Sequence, residues 1–152
     1  MYKTRLIVAA TSLCLAAVAF AHSMQDDAID YRMGLMTVMG WNYGPLGAMV
    51  KGKMPFNAAE FSKHADRIAF LSDQILEGFP KGSDKGQEEK TSAKADIWAN
   101  FDDFQTKAKE LNTQAKLLAE TAKGSDEAKD KEQFKKVASA CKACHDKYKE
   151  KD

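Results

Sequence analysis

The stretch IWANFDDFQTKAKELNTQAKLLAETA, residues 97–122, places apolar side chains at Ile97, Phe101, Phe104, Ala108, Leu111, Ala115, Leu118 and Ala122. The steps alternate fours and threes, so these side chains fall on one stripe of an α-helix, the seven-residue repeat that faces partner helices in a bundle. Gly124 ends the run, and Ser125 is placed to cap a following helix. In that next segment Phe134, Ala138, Cys141, His145 and Tyr148 keep the same alternation.

Upstream, Asn57 followed by Glu60 resembles a capping box with Asn in place of Ser or Thr. Phe61, Ala65, Ile68, Leu71 or Ser72, Ile75 and Phe79 then recur at helical spacing. A first helix begins near Asp26 and carries Ala28, Tyr31, Leu35, Val38 or Met39, and Asn42, with Gly44-Pro45 expected to kink or interrupt it before Leu46 and Met49. The segment from Gly78 to Glu89 is rich in Gly, Lys and Asp, contains Pro80 and has no apolar period, so it reads as the one long loop. No useful β-alternation appears. The expected fold is therefore all-α, an antiparallel up-down four-helix bundle.

Residues 1–21 are set apart by composition. Lys3 and Arg5 precede an apolar run of 15 residues, Leu6 to Phe20, and Ala19-Phe20-Ala21 offers the small residues of a cleavage site. The run is too short to cross a hydrocarbon core of roughly 30 Å comfortably. A cleaved signal peptide over 1–21, a bundle over 22–152 and a periplasmic product without a membrane anchor are expected. Removing Lys3 and Arg5 from the 23 basic residues leaves 21 against 22 acidic ones, a net charge of about −1, which argues against nucleic acid as a partner.

Cys14 falls in the leader, which leaves Cys141 and Cys144. A pair so close in sequence closes almost no loop and makes a poor structural staple. Cys141-Lys142-Ala143-Cys144-His145 matches the C-x-x-C-H attachment motif of c-type haem. Two thiols at this spacing can add to the two vinyl groups of a porphyrin while the next residue presents its imidazole to the iron. On a helix, His145 lies one turn beyond Cys141. The competing readings are a redox dithiol, which would want a βαβ setting, and a zinc clip, which would need about four ligands from a set extended only by His22 and His64. His64 itself reads as a surface or boundary histidine.

Arg32 falls close to the apolar stripe of its helix, where a lone charge needs a partner, and a haem propionate held bidentately would supply one. Together with Tyr31-Arg32, Lys51-Gly52, Pro55, Ile97-Trp98 and the terminal Cys141 to Asp146 with Tyr148, this pattern resembles cytochrome c prime and its low-spin relatives, the class II cytochromes c. The resemblance spans essentially the whole chain after the leader. It implies one covalent haem c per chain through two thioethers, iron held by His145, and a propionate at Arg32. It places Met33 at the haem edge, and Asp96 and Trp98 near the haem. It implies an electron-carrying or gas-binding protein, not an enzyme, with redox proteins and diatomic gases as partners. It permits a homodimer through the first two helices.

Met36, one turn after Arg32, occupies the position that in this family either crowds the iron's second axial site or ligates it. The family's two branches are a five-coordinate, high-spin haem open to NO and CO, and a low-spin His145/Met36 electron carrier. Because Tyr31-Arg32 and the terminal motif resemble cytochrome c prime more closely, the five-coordinate haem is expected, with the low-spin carrier as the alternative. Lys149 stands where an arginine is common in the family, and a compact ammonium lacks the planar fork of a guanidinium.

Overall fold

The structure is a computed structural model that describes residues 3–86 and 89–151, with side chains from Met24 onward; the leader's side chains lie outside the described residues. Five α-helices are present among the described residues: α1 Lys3–Val50, α2 Ala58–Ser72, α3 Asp96–Ala99, α4 Phe101–Ala122 and α5 Glu127–Tyr148. A 3-10 turn, Ile75–Gly78, follows α2, and the sole β feature described is an isolated antiparallel bridge between Ala93 and Lys149. With short α3 running into α4, the chain forms the four-helix bundle expected from its periodicity.

The α4 stripe packs as its repeat requires. Ile97, Phe104, Ala108, Leu111, Ala115, Leu118 and Ala122 are buried, and Phe101 is half-buried. The helix is not continuous from Ile97, because Asn100 leaves helical geometry (φ −129°, ψ 43°) and separates α3 from α4. The second apolar run also divides. α2 ends at Ser72, while Ile75 and Phe79 reach the core from the 3-10 turn and the loop start.

In α1 the buried stripe is Ile29, Arg32, Leu35, Met39, Asn42, Leu46 and Met49, which keeps the expected stripe from Leu35 onward and replaces Ala28 and Tyr31 with Ile29 and Arg32. Ala28 is half-buried, Val38 is exposed, and Tyr31 turns outward to donate from its hydroxyl to Glu77 Oε2 at 2.9 Å. The helix also runs through Gly44-Pro45 without ending, as far as Val50. Past Val50 the chain reverses at Gly52, whose φ of +67° suits a residue without a Cβ.

The caps follow the local chemistry. Asn57 Oδ1 accepts from the Glu60 amide at 3.0 Å, but the Asn57 amide lies 3.4 Å from Met49 Sδ, so only one half of the capping box forms. At α5 the cap is Asp126, not Ser125: its carboxylate accepts from the Ala128 and Lys129 amides, while Ser125 takes a left-handed φ of 54° in the turn. A carboxylate at this position also complements the helix dipole.

α4 packs on α2 and α5, and α1 packs on α2. α1 and α5 touch far less. The space between them is the site.

Candidate functional site

A cavity of about 920 Å³ opens between α1 and α5, with its floor formed by Ile68, Ile75, Phe79, Ile97, Phe104, Ala108 and Leu111. From α5 it receives Cys141, Cys144, His145 and Lys149, and from α1 it receives Arg32, Met33 and Met36. Seven residues singled out in the sequence thus meet in one place. Asp96 does not join them: the helical turn that buries Ile97 leaves the Asp96 carboxylate exposed and off the cavity lining. Trp98 stands behind the wall, its indole N–H donating to Pro80 O at 2.9 Å and its ring 5.6 Å from the Arg32 guanidinium.

Helix geometry explains the α5 face. Positions 141, 144 and 145 are three and four apart, so both thiols and the imidazole project to the same side. Both cysteines are free thiols and half-buried. Burial pushes the Cys141 thiol up to about 11, and burial likewise raises Cys144. These are not activated thiolates of the kind a redox dithiol uses. The His145 imidazole stands at the exposed mouth, yet the cavity walls remove enough of its water to lower its pKa, and the Lys149 ammonium adds to that shift. A neutral imidazole is the form that ligates metal.

Arg32 is 3 % exposed. Its Nη1 donates to Gly78 O and Ser83 Oγ, both at 3.1 Å, and its Nη2 donates to Ser83 O and Thr91 Oγ1, both at 2.9 Å. The guanidinium carbon sits 5.0 Å from the Phe79 ring centroid. Four donors are thus spent on the loop, and only Nε–H is left without a partner. A bidentate grip on a carboxylate, expected from the sequence, would require the guanidinium to give up bonds to the loop. Desolvation pulls the Arg32 pKa down, and Asp84 offsets part of that shift. Gly78 permits the close approach of this pair, because a Cβ there would lie 2.7 Å from Arg32 Cβ.

One wall had no signal in the sequence. Lys90, Thr91, Ser92 and Ala93 line the cavity from the long loop. They are held by the tail that follows α5, where the Lys94 amide donates to Tyr148 O at 2.9 Å and the Glu150 amide donates to Ser92 O at 2.8 Å. Such pairing depends on tertiary contact between distant segments, which no local period records. Tyr43, Gly40 and Lys107 also line the cavity. Tyr43 and Gly40 share the α1 face of Met36 at helical spacing, a signal that could have found them.

The donor set fits a haem. The walls are mainly apolar, two thiols and an imidazole share one face, and the cationic Arg32, whose buried Nε–H has no partner, is part of the lining. No carboxylate lines the cavity among the described residues. Among the described residues no group of three His, Cys, Asp or Glu side chains is arranged to hold a bare ion, and the side chain of His22 lies outside them. His64 lies elsewhere, and it is buried, not superficial as expected: its Nδ1 pairs with Asn42 Oδ1 at 2.9 Å between α1 and α2.

Residues 27–149 match the family model described as Cytochrome C'. A cytochrome c' from Halomonas halodenitrificans is 34 % identical over 124 residues, covering 80 % of this chain and 94 % of the relative. Among solved structures, cytochrome c prime from Shewanella frigidimarina superposes with a TM-score of 0.79 at 44 % identity, covering 84 % of this chain and 97 % of that one. A nitric oxide complex of a variant cytochrome c prime from Alcaligenes xylosoxidans gives a TM-score of 0.75 at 29 % identity, with 84 % and 97 % covered.

Proposed function

The chain belongs to the cytochrome c' family, whose members carry covalently bound haem c and are not enzymes, and from that premise we propose a five-coordinate, high-spin haem that transfers electrons and binds diatomic gases. The observation that carries this reading is the cavity itself, which brings Cys141, Cys144 and His145 on α5 into one space with the apolar Met33 and Met36 of α1. The haem supplies a reversible one-electron couple and an iron that can take a small ligand.

The chain's own residues have separable tasks in this reading. Cys141 and Cys144 would bind the group covalently through two thioethers. His145 offers a neutral ring nitrogen to the iron, and Lys149 helps to keep that ring neutral. Arg32 would supply the positive charge for a propionate, while four of its donors fix the loop that it binds. Met33 and Met36 exclude water from the opposite side. The Alcaligenes relative was solved with nitric oxide bound, which supports gas binding in this chain as well.

Met36 lines the same cavity as His145, and that observation favours a second reading, a low-spin His145/Met36 electron carrier. Met36→Leu separates the two. In the five-coordinate protein the substitution leaves the optical spectrum nearly unchanged; in the low-spin protein it converts the spectrum to high-spin. A native low-spin spectrum that survives the substitution contradicts both readings.

The leader over residues 1–21 and a haem attached outside the cytoplasm support a periplasmic protein, with 22–152 as the mature bundle. Trp41 is 77 % exposed on α1 and Phe70 is 70 % exposed on α2, and both border a shallow groove with Val38 and Leu71. This apolar face across the first two helices supports a homodimer formed there. Redox proteins are the expected partners for electron exchange.

A further inference from the structure

We infer that Gly40 sets the free space beside Met36 and thereby fixes the size of ligand that the cavity admits; the inference rests on the reading that the iron is open opposite His145. Glycine inside a helix costs stability relative to alanine, so each helical glycine calls for a reason. Packing supplies none at Gly40. A Cβ there would meet no atom within 4 Å, and the backbone has no positive φ that would exclude other residues.

What distinguishes Gly40 is that it faces the cavity, one turn beyond Met36. Side chains on a helix tilt toward its N-terminus, so a side chain at position 40 would lie over Met36 and Thr37. Without it, the flank of Met36 is bare. Thr37 lines the same wall, and its hydroxyl is committed to Met33 O at 2.9 Å. Methionine is unbranched, with three rotatable bonds, and it moves readily into adjoining space. An entering diatomic molecule therefore displaces the Met36 side chain toward Gly40 and leaves the packed core untouched. A bulkier ligand demands a larger displacement of Met36. Gly34 and Gly44 are equally open in their surroundings but do not line the cavity, which makes them internal controls.

The test is the association of CO and of methyl isocyanide with the ferrous holoprotein, in the native chain and in Gly40→Ala, Gly40→Leu and Gly34→Ala. A leucine that overpacks the space should slow CO by about tenfold or more, and should slow the isocyanide further still. Gly40→Ala should fall between, Gly34→Ala should match the native rates, and all ferric spectra should stay high-spin. Gly40→Ala adds helix propensity, so its thermal midpoint should not fall, and it keeps the test decisive if the leucine variant misfolds. Native CO rates in both Gly40 variants would overturn the inference. Equal slowing in Gly34→Ala, or failure of Gly40→Ala to take up haem, would overturn it too, since either gives the glycine another role. A native protein that is itself low-spin and indifferent to CO fails at the earlier step, and identifies the open-iron reading as the error.

Discussion

Arg32 gives four of its five N–H donors to the loop from Gly78 to Thr91, so it is a structural clamp as well as a candidate propionate partner. Arg32→Ala should strand several buried acceptors and cost about 2–4 kcal/mol, read from urea unfolding of the holoprotein. Arg32→Lys should recover little, because a single ammonium cannot span these acceptors. Asp130 presents a different case. It is fully buried and neither carboxylate oxygen has a partner among the described residues, so burial raises its pKa. The Thr121 hydroxyl offsets this only partly, as it donates to Leu118 O at 3.0 Å, and the nearby Asp126 charge adds to the rise. A raised carboxyl pKa opposes folding once pH exceeds the unfolded value, and the penalty grows until pH passes the folded value. Asp130→Asn should therefore raise the thermal midpoint at pH 7, and the gain should vanish as pH falls below about 4. Equal gains at both pH values would show that charge is not the cause.

The helices differ in how plainly their residues declare them. α4 alternates small and large apolar side chains against charged neighbours, so its period is unambiguous and its buried stripe is the one the spacing predicts. α1 is rich in Met, Tyr and Val around its whole circumference, so more than one register fits its first turns, and Arg32 on the true stripe disguises it there. The motif on α5 was legible because thioether attachment fixes both residue type and spacing. The loop wall from Lys90 to Ala93 was not, because its position comes from backbone pairing with the tail after α5. Bidentate binding at Arg32 was a fair inference from chemistry alone; only the tertiary fold shows that its fork is already occupied. At this scale, Asn57→Ala should cost about 1 kcal/mol through loss of the α2 cap, measured by denaturant midpoint. The cost should be independent of haem, since the cap lies outside the cavity lining.

Across the whole molecule, α2 and α4 pack on each other, α5 packs on α4 and α1 on α2, while α1 and α5 meet little and hold the cavity between them. The haem then becomes part of the core, joining two helices that touch each other little. Loss of both thioether positions in Cys141→Ala/Cys144→Ala should lower the thermal midpoint markedly, since a ligand bound only to the folded state adds to stability and here it is tethered. The exposed Trp41 and Phe70 face belongs to the same scale. Trp41→Lys should shift a dimer toward monomer in sedimentation, with the optical spectrum unchanged. In the proposed holoprotein His145 holds the iron from one side and Met36 leaves it open on the other. The most direct measurement is the optical spectrum of the native holoprotein in ferric and ferrous states, with CO added to the latter. High-spin bands that shift promptly on adding CO are the predicted result; low-spin bands with a methionine-to-iron charge-transfer feature and no response to CO would contradict it.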